Sequence, residues 1–171
     1  LHYLESYPYN FKWRLSMNNK LMGWSAQVFT ALLCLFVVFS VAEAGNNRDA
    51  NGRLKVLYHI DGSDVGVAKY AMALINKHME AEGGPDKIDI KVVVHGPAPM
   101  LFDRETVDPV LKKKLAMIIA KGIQPEMCQV SMKLFGKQLD ALEPGFIPTE
   151  HPVAVKRIAD LQEQGYLYIK P

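Results

Sequence analysis

Apolar and polar positions fall into two alternating rhythms from residue 54 onward. "LKVLYHI" (54–60) is an apolar run rich in β-branched and aromatic residues, the mark of a buried strand. The period then changes. Ala68, Ala71, Met72, Ile75 and Met79 recur at helical spacing, with Ser63 or Asp64 placed to cap the start and Gly83 to end it. "KIDIKVVVHG" (87–96) predicts a second strand, whose three consecutive valines suit cover on both faces. A loop, "PAPMLFDRET", leads to a helix opened by Asp108 and Pro109 and closed by Gly122. Val110, Leu111, Leu115, Ile118 and Ile119 form its apolar stripe. "GIQPEMC" predicts a third strand, weakened by Pro125, which cannot donate to a ladder. "QVSMKLFGKQLDAL" predicts a helix with Gly136 as a blemish, "GFIPT" a short fourth strand, "HPVAVKRIADLQEQG" a fourth helix and "YLYIKP" a last strand.

Strands alternating with helices imply a parallel sheet with helices on both faces. Five strands and four helices predict an α/β, flavodoxin-like three-layer fold with strand order 2-1-3-4-5. In that order the first and third strands are neighbours. The crevice at their carboxyl ends is where folds of this type place their sites.

The first 53 residues follow another pattern. Residues 1–16 are unpatterned, consistent with an initiator at Met17. Residues 17–44 read as a secretory signal peptide: Lys20, a long apolar run, then Ala42-Glu43-Ala44 as a small-x-small cleavage signal. Residues 45–53 form a polar linker and residues 54–171 the folded domain. Cleavage near Ala44 predicts a periplasmic or secreted protein. An uncleaved segment would instead anchor the chain to a membrane, since about 20 apolar residues suffice to span one. The net charge of +2 and the absence of basic runs interleaved with aromatics argue against a nucleic-acid partner. The lysine triplet at 112–114 reads as the solvated face of its helix.

Of the two cysteines, Cys34 lies in the signal segment and Cys128 in the domain. A leftover cysteine in an exported protein points to pairing between chains or to a reactive thiol, while a buried free cysteine is also a common core residue. The predicted topology puts Cys128 at the end of the third strand, before a helix N-terminus that should favour a thiolate. Asp61-Gly62-Ser63 and His95-Gly96 leave the first two strands at the same edge. His59, inside the first strand, reads as structural. The loop after that strand carries two aspartates, which repel phosphate, and lacks a Gly/Ser/Thr-rich cradle. No C-x-x-C is present and no closely spaced His/Cys set argues for a metal, so neither a metal nor a cofactor is expected.

"VLYHID", "VVVHGPAP", "KGIQPEMC" and "LQEQGYLYIKP" occur in this order, and together they resemble the DsrE/DsrF-like family of sulfur-relay proteins. The resemblance spans nearly all of residues 54–171. It implies a flavodoxin-like fold, assembly as trimers or hexamers, and a cysteine, here Cys128, that carries persulfide sulfur between proteins or small thiols. His95 matches the family's strand-2 histidine. On a sulfur-carrier reading, the loops at Asp61-Gly62-Ser63 and His95-Gly96 would shape the pocket. The expected function is therefore a periplasmic sulfur carrier or sulfurtransferase. The alternative is a non-catalytic oligomeric binding or scaffold module of the same fold. Two departures stand out: relay members work in the cytoplasm, and Pro125 with the "CQVSM" that follows differs from their usual polar turn after the cysteine.

Overall fold

The computed structural model describes residues 47–171. The unpatterned start, the signal segment and its cleavage point near Ala44 lie outside the described residues. Among those described, no helix is long and apolar enough to cross a membrane.

Five parallel strands form one sheet: β1 (Leu54–Ile60), β2 (Ile88–Val94), β3 (Glu126–Met127), β4 (Ile147–Pro148) and β5 (Leu167–Ile169). Four helices connect them: α1 (Val65–Ala81), α2 (Pro109–Ala120), α3 (Gln129–Leu134) and α4 (Ala154–Glu163). The expected α/β three-layer architecture is present. The expected strand order is not: the sheet runs β4-β3-β2-β1-β5. The physical reason is burial. β1 and β2 are seven residues each and apolar enough to need neighbours on both edges, so they pair with each other at the centre. β3 and β4 have only two residues each, and Pro125 stands immediately before β3, so these two step outward to one edge. After α4 the chain returns to the other edge and sets β5 against β1. The first and third strands are therefore separated by β2, and the reversal of direction falls between β1 and β5.

Side-chain alternation along the strands divides the core in two. Val56, Tyr58, Ile60, Ile88, Ile90, Val92, Val94 and Met127 face α1 and α2 and join one large apolar cluster with Met72, Ile75, Leu111, Leu115 and Phe102. Leu57, Val93 and Cys128 face the other way and pack against Ala154, Ile158 and Leu161 of α4. All five apolar positions anticipated for α1 are buried. Asp64 caps that helix, accepting hydrogen bonds from the N–H groups of Gly66 and Val67. Asp108 caps α2 in the same way. Within the anticipated α2 stripe, Leu111, Leu115 and Ile118 are buried, whereas Val110 is exposed because it lies about 100° around the helix from Leu111. The helix after Cys128 is only six residues long; Gly136, at φ +61°, ends the segment where a longer helix was anticipated.

Candidate functional site

Alternation continues past the strand ends and decides what meets there. His59 shares a face with Leu57, and His95, following Val94, shares a face with Val93; both lie on the α4 side of the sheet. The pairing of Val93 with Glu126 and Val94 with Met127, carried one step further, sets His95 beside Cys128. The pairing of Met127 with Pro148, carried one step further, sets Cys128 beside Thr149, whose N–H donates to the Met127 carbonyl at 3.0 Å. A row of polar side chains thus crosses the carboxyl edge of the sheet.

The histidines are in direct contact. His59 Nε2 and His95 Nε2 lie 2.5 Å apart; the ring planes are 11° from parallel and their centroids 4.7 Å apart, so the rings meet nitrogen to nitrogen. His59 Nδ1 lies 2.6 Å from Tyr168 Oη on β5, and Asp61 Oδ2 lies 3.8 Å from His59 Nε2. Lys170, just beyond β5, donates to Asp61 Oδ2 at 2.7 Å. Gly96 makes this convergence possible. Its N–H donates to Ser131 Oγ at 2.9 Å, its φ is +61°, and a Cβ there would stand 2.7 Å from the Asp61 carbonyl oxygen. Only glycine lets the end of β2 come so close to the loop after β1. A cleft of about 190 Å³ opens between the end of β1, the Asp61–Asp64 loop, the start of α1 (Val67, Ala68, Ala71) and Pro171; His59 and Asp61 line it.

The electrostatics follow from burial and from the Asp61–Lys170 pair. Burial lowers the pKa of His59, with the adjacent His95 adding to the effect. Burial also lowers the pKa of His95. Both imidazoles are therefore neutral at neutral pH, each offering one lone pair. The Lys170 hydrogen bond holds the Asp61 carboxyl below its usual range.

Cys128 does lie at the junction of the third strand with its helix, but the anticipated open thiol is not there. The residue is 3% exposed and packs with Leu57, Val93, Ala154, Ile158 and Leu161. Its Sγ makes no capping bond to α3 and lies 3.4 Å from the Pro152 carbonyl oxygen. Two features account for this. α4 lies across β1 and β2 with Ala154, Ile158 and Leu161 packed beside Cys128, and the crevice moves to β1 and β5 with the strand order. Of the anticipated pocket residues, Asp61, Gly62 and Ser63 line the cleft, and His95 and Gly96 stand beside it. His59, Tyr168 and Lys170 belong to the same group and were not anticipated. The signal for His59 was a polar side chain within an otherwise apolar strand. Tyr168 and Lys170 gave none, since they reach the site only through the β1–β5 pairing.

Residues 55–171 match the model of the DsrE/DsrF-like family. No curated protein matches the sequence. MTH1491 of Methanobacterium thermoautotrophicum, a protein of unknown function, superposes with a TM-score of 0.59 at 20% identity, covering 68% of this chain and 97% of that one. The ychN protein of E. coli superposes at 0.56 with 13% identity, covering 68% and 98% respectively. Both share the fold.

Proposed function

Because the chain belongs to the DsrE/DsrF-like family, whose members are broadly associated with sulfur relay and commonly oligomeric, we propose that it is an exported, oligomeric sulfur carrier that uses Cys128. One observation supports this reading above the rest. Next to Cys128 in register stands Thr149, 1% exposed, whose hydroxyl has no hydrogen-bond partner. An unpaired buried hydroxyl costs about 1–3 kcal/mol, so its position calls for a use. A terminal persulfide sulfur on Cys128 would give that hydroxyl an acceptor.

The transfer is a thiol exchange. The Cys128 thiolate attacks the sulfane sulfur of a donor. With thiosulfate, the new Sγ–S bond forms as the donor S–S bond breaks, and sulfite leaves with the electron pair. An acceptor thiolate then attacks the outer sulfur, and Cys128 departs as thiolate. The sulfur is reached when the exposed His151–Pro152–Val153 segment, whose central carbonyl covers Sγ, moves aside. Export rests on the leader at residues 17–44. Intact mass after incubation with thiosulfate or polysulfide should show a gain of one sulfur in the native chain and none in Cys128→Ser. No gain from either donor would remove the proposal.

The aliphatic packing of Cys128 favours a second reading, a binding module without sulfur chemistry. On that reading, Cys128 of the folded chain is alkylated only at the rate of global unfolding. On the first it is alkylated faster than that, because the covering segment opens locally.

A further inference from the structure

We propose that His59, Asp61 and His95 form a binding site for a divalent d-block cation, with Zn²⁺ the best match. One ligand atom from each lies within 4.8 Å of the others. Two come from the ends of adjacent central strands and the third from the residue just after β1. The site therefore stands where the two long strands end, with its spacing set by the close approach at Gly96. Zinc bonds of about 2.0–2.1 Å to nitrogen and oxygen in a tetrahedron separate ligand atoms by about 3.3 Å. The two Nε2 atoms, now 2.5 Å apart, would part by less than about 1 Å, and Asp61 Oδ2, now 3.8 Å from His59 Nε2, would close by about half an ångström.

The surroundings fit as well. A histidine that binds metal through Nε2 usually donates its Nδ1–H to an outer partner, which fixes the tautomer and aims the lone pair. Tyr168 Oη stands 2.6 Å from His59 Nδ1 and can be that partner. In the metal-free state, two facing Nε2 lone pairs are compatible only if one nitrogen carries a proton; a cation between them removes that need. Two imidazoles and one carboxylate suit zinc and its neighbours in the series, not magnesium or calcium, which prefer all-oxygen sets. Asp61 and His95 are only partly buried, so a bound ion keeps access to water or a small ligand. Lys170 competes with the metal, because its ammonium already holds Asp61 Oδ2. This site uses no atom of Cys128 and stands apart from the sulfur chemistry proposed above.

The test is titration of the full, untagged chain with Zn²⁺ by calorimetry, with Co²⁺ as an optical probe. The expected result is one equivalent bound, unchanged in Cys128→Ser, with no sulfur-to-cobalt charge-transfer band. His95→Ala and Asp61→Ala should each weaken binding by about tenfold or more, and Lys170→Met should strengthen it several-fold. His95→Gln, of similar size, serves if the alanine variant does not fold. No saturable uptake by micromolar Zn²⁺ would mean a hydrogen-bonded histidine pair only. Binding that survives both ligand variants, or that disappears in Cys128→Ser, overturns the assignment equally.

Discussion

The two faces of the sheet are built on different principles. The α1/α2 side is a mainly apolar layer: Met72, Ile75, Leu111, Leu115, Ile118 and Phe102 are buried against Ile, Val and Tyr58 from β1 and β2. The α4 side has one helix and a small apolar cluster, and around that cluster stand His59, His95, Cys128 and the Glu126–Arg157 ion pair. Burial without polar groups gives stability and nothing to react with. The second face gives up that uniformity and gains ionisable groups held at fixed distances. The chemistry of this molecule is to be sought on the face with the thinner cover.

The sharpest way to break this comparison is to remove apolar bulk from the first face. Phe102 is fully buried and meets Phe146 edge to face at 5.0 Å. Phe102→Ala should destabilise the fold by about 4 kcal/mol, read from denaturant midpoints. An equal loss from a polar truncation on the second face would blur the contrast. There, Arg157 Nε and Nη2 donate to the two Glu126 oxygens at 2.8 Å each. Glu126→Ala leaves the guanidinium with exposed Glu150 alone and should cost about 3 kcal/mol, whereas replacing both partners with methionine should come out near neutral. The smallest effect separates the faces by pH. His59 and His95 have native pKa values below the unfolded value, so their contribution to stability is complete above about pH 6.5 and declines as the pH falls from there toward the native values. Midpoints measured in chelator between pH 7 and 5 should fall in the native chain. They should fall less in a variant with both histidines replaced by glutamine.

Much of the fold could be read along the chain because it is local. Asp64 and Asp108 each cap the turn beside them, and the stripe in α1 is a matter of three- and four-residue steps. The strand order is not local. The alternation of strands and helices is the same for 2-1-3-4-5 and for 4-3-2-1-5, and only the burial demanded by β1 and β2 tells them apart. The site depends on that order. His59 and His95 are 36 residues apart, and Tyr168 is 109 from His59, so no spacing rule for metal ligands could link them. Part of the apolar packing around Cys128 comes from Ala154, Ile158 and Leu161, whose contact with it exists only once α4 has crossed the sheet.

The pairing of β5 with β1 carries one more consequence. This edge strand is three residues long and joins its neighbour through three register pairs. Such a short margin is the kind of element that frays first. Tyr168 and Lys170 ride on it, one steadying His59 and the other shielding Asp61. A single peeling event would free both groups at once, so the margin acts as a latch whose release is governed by how firmly three residues hold.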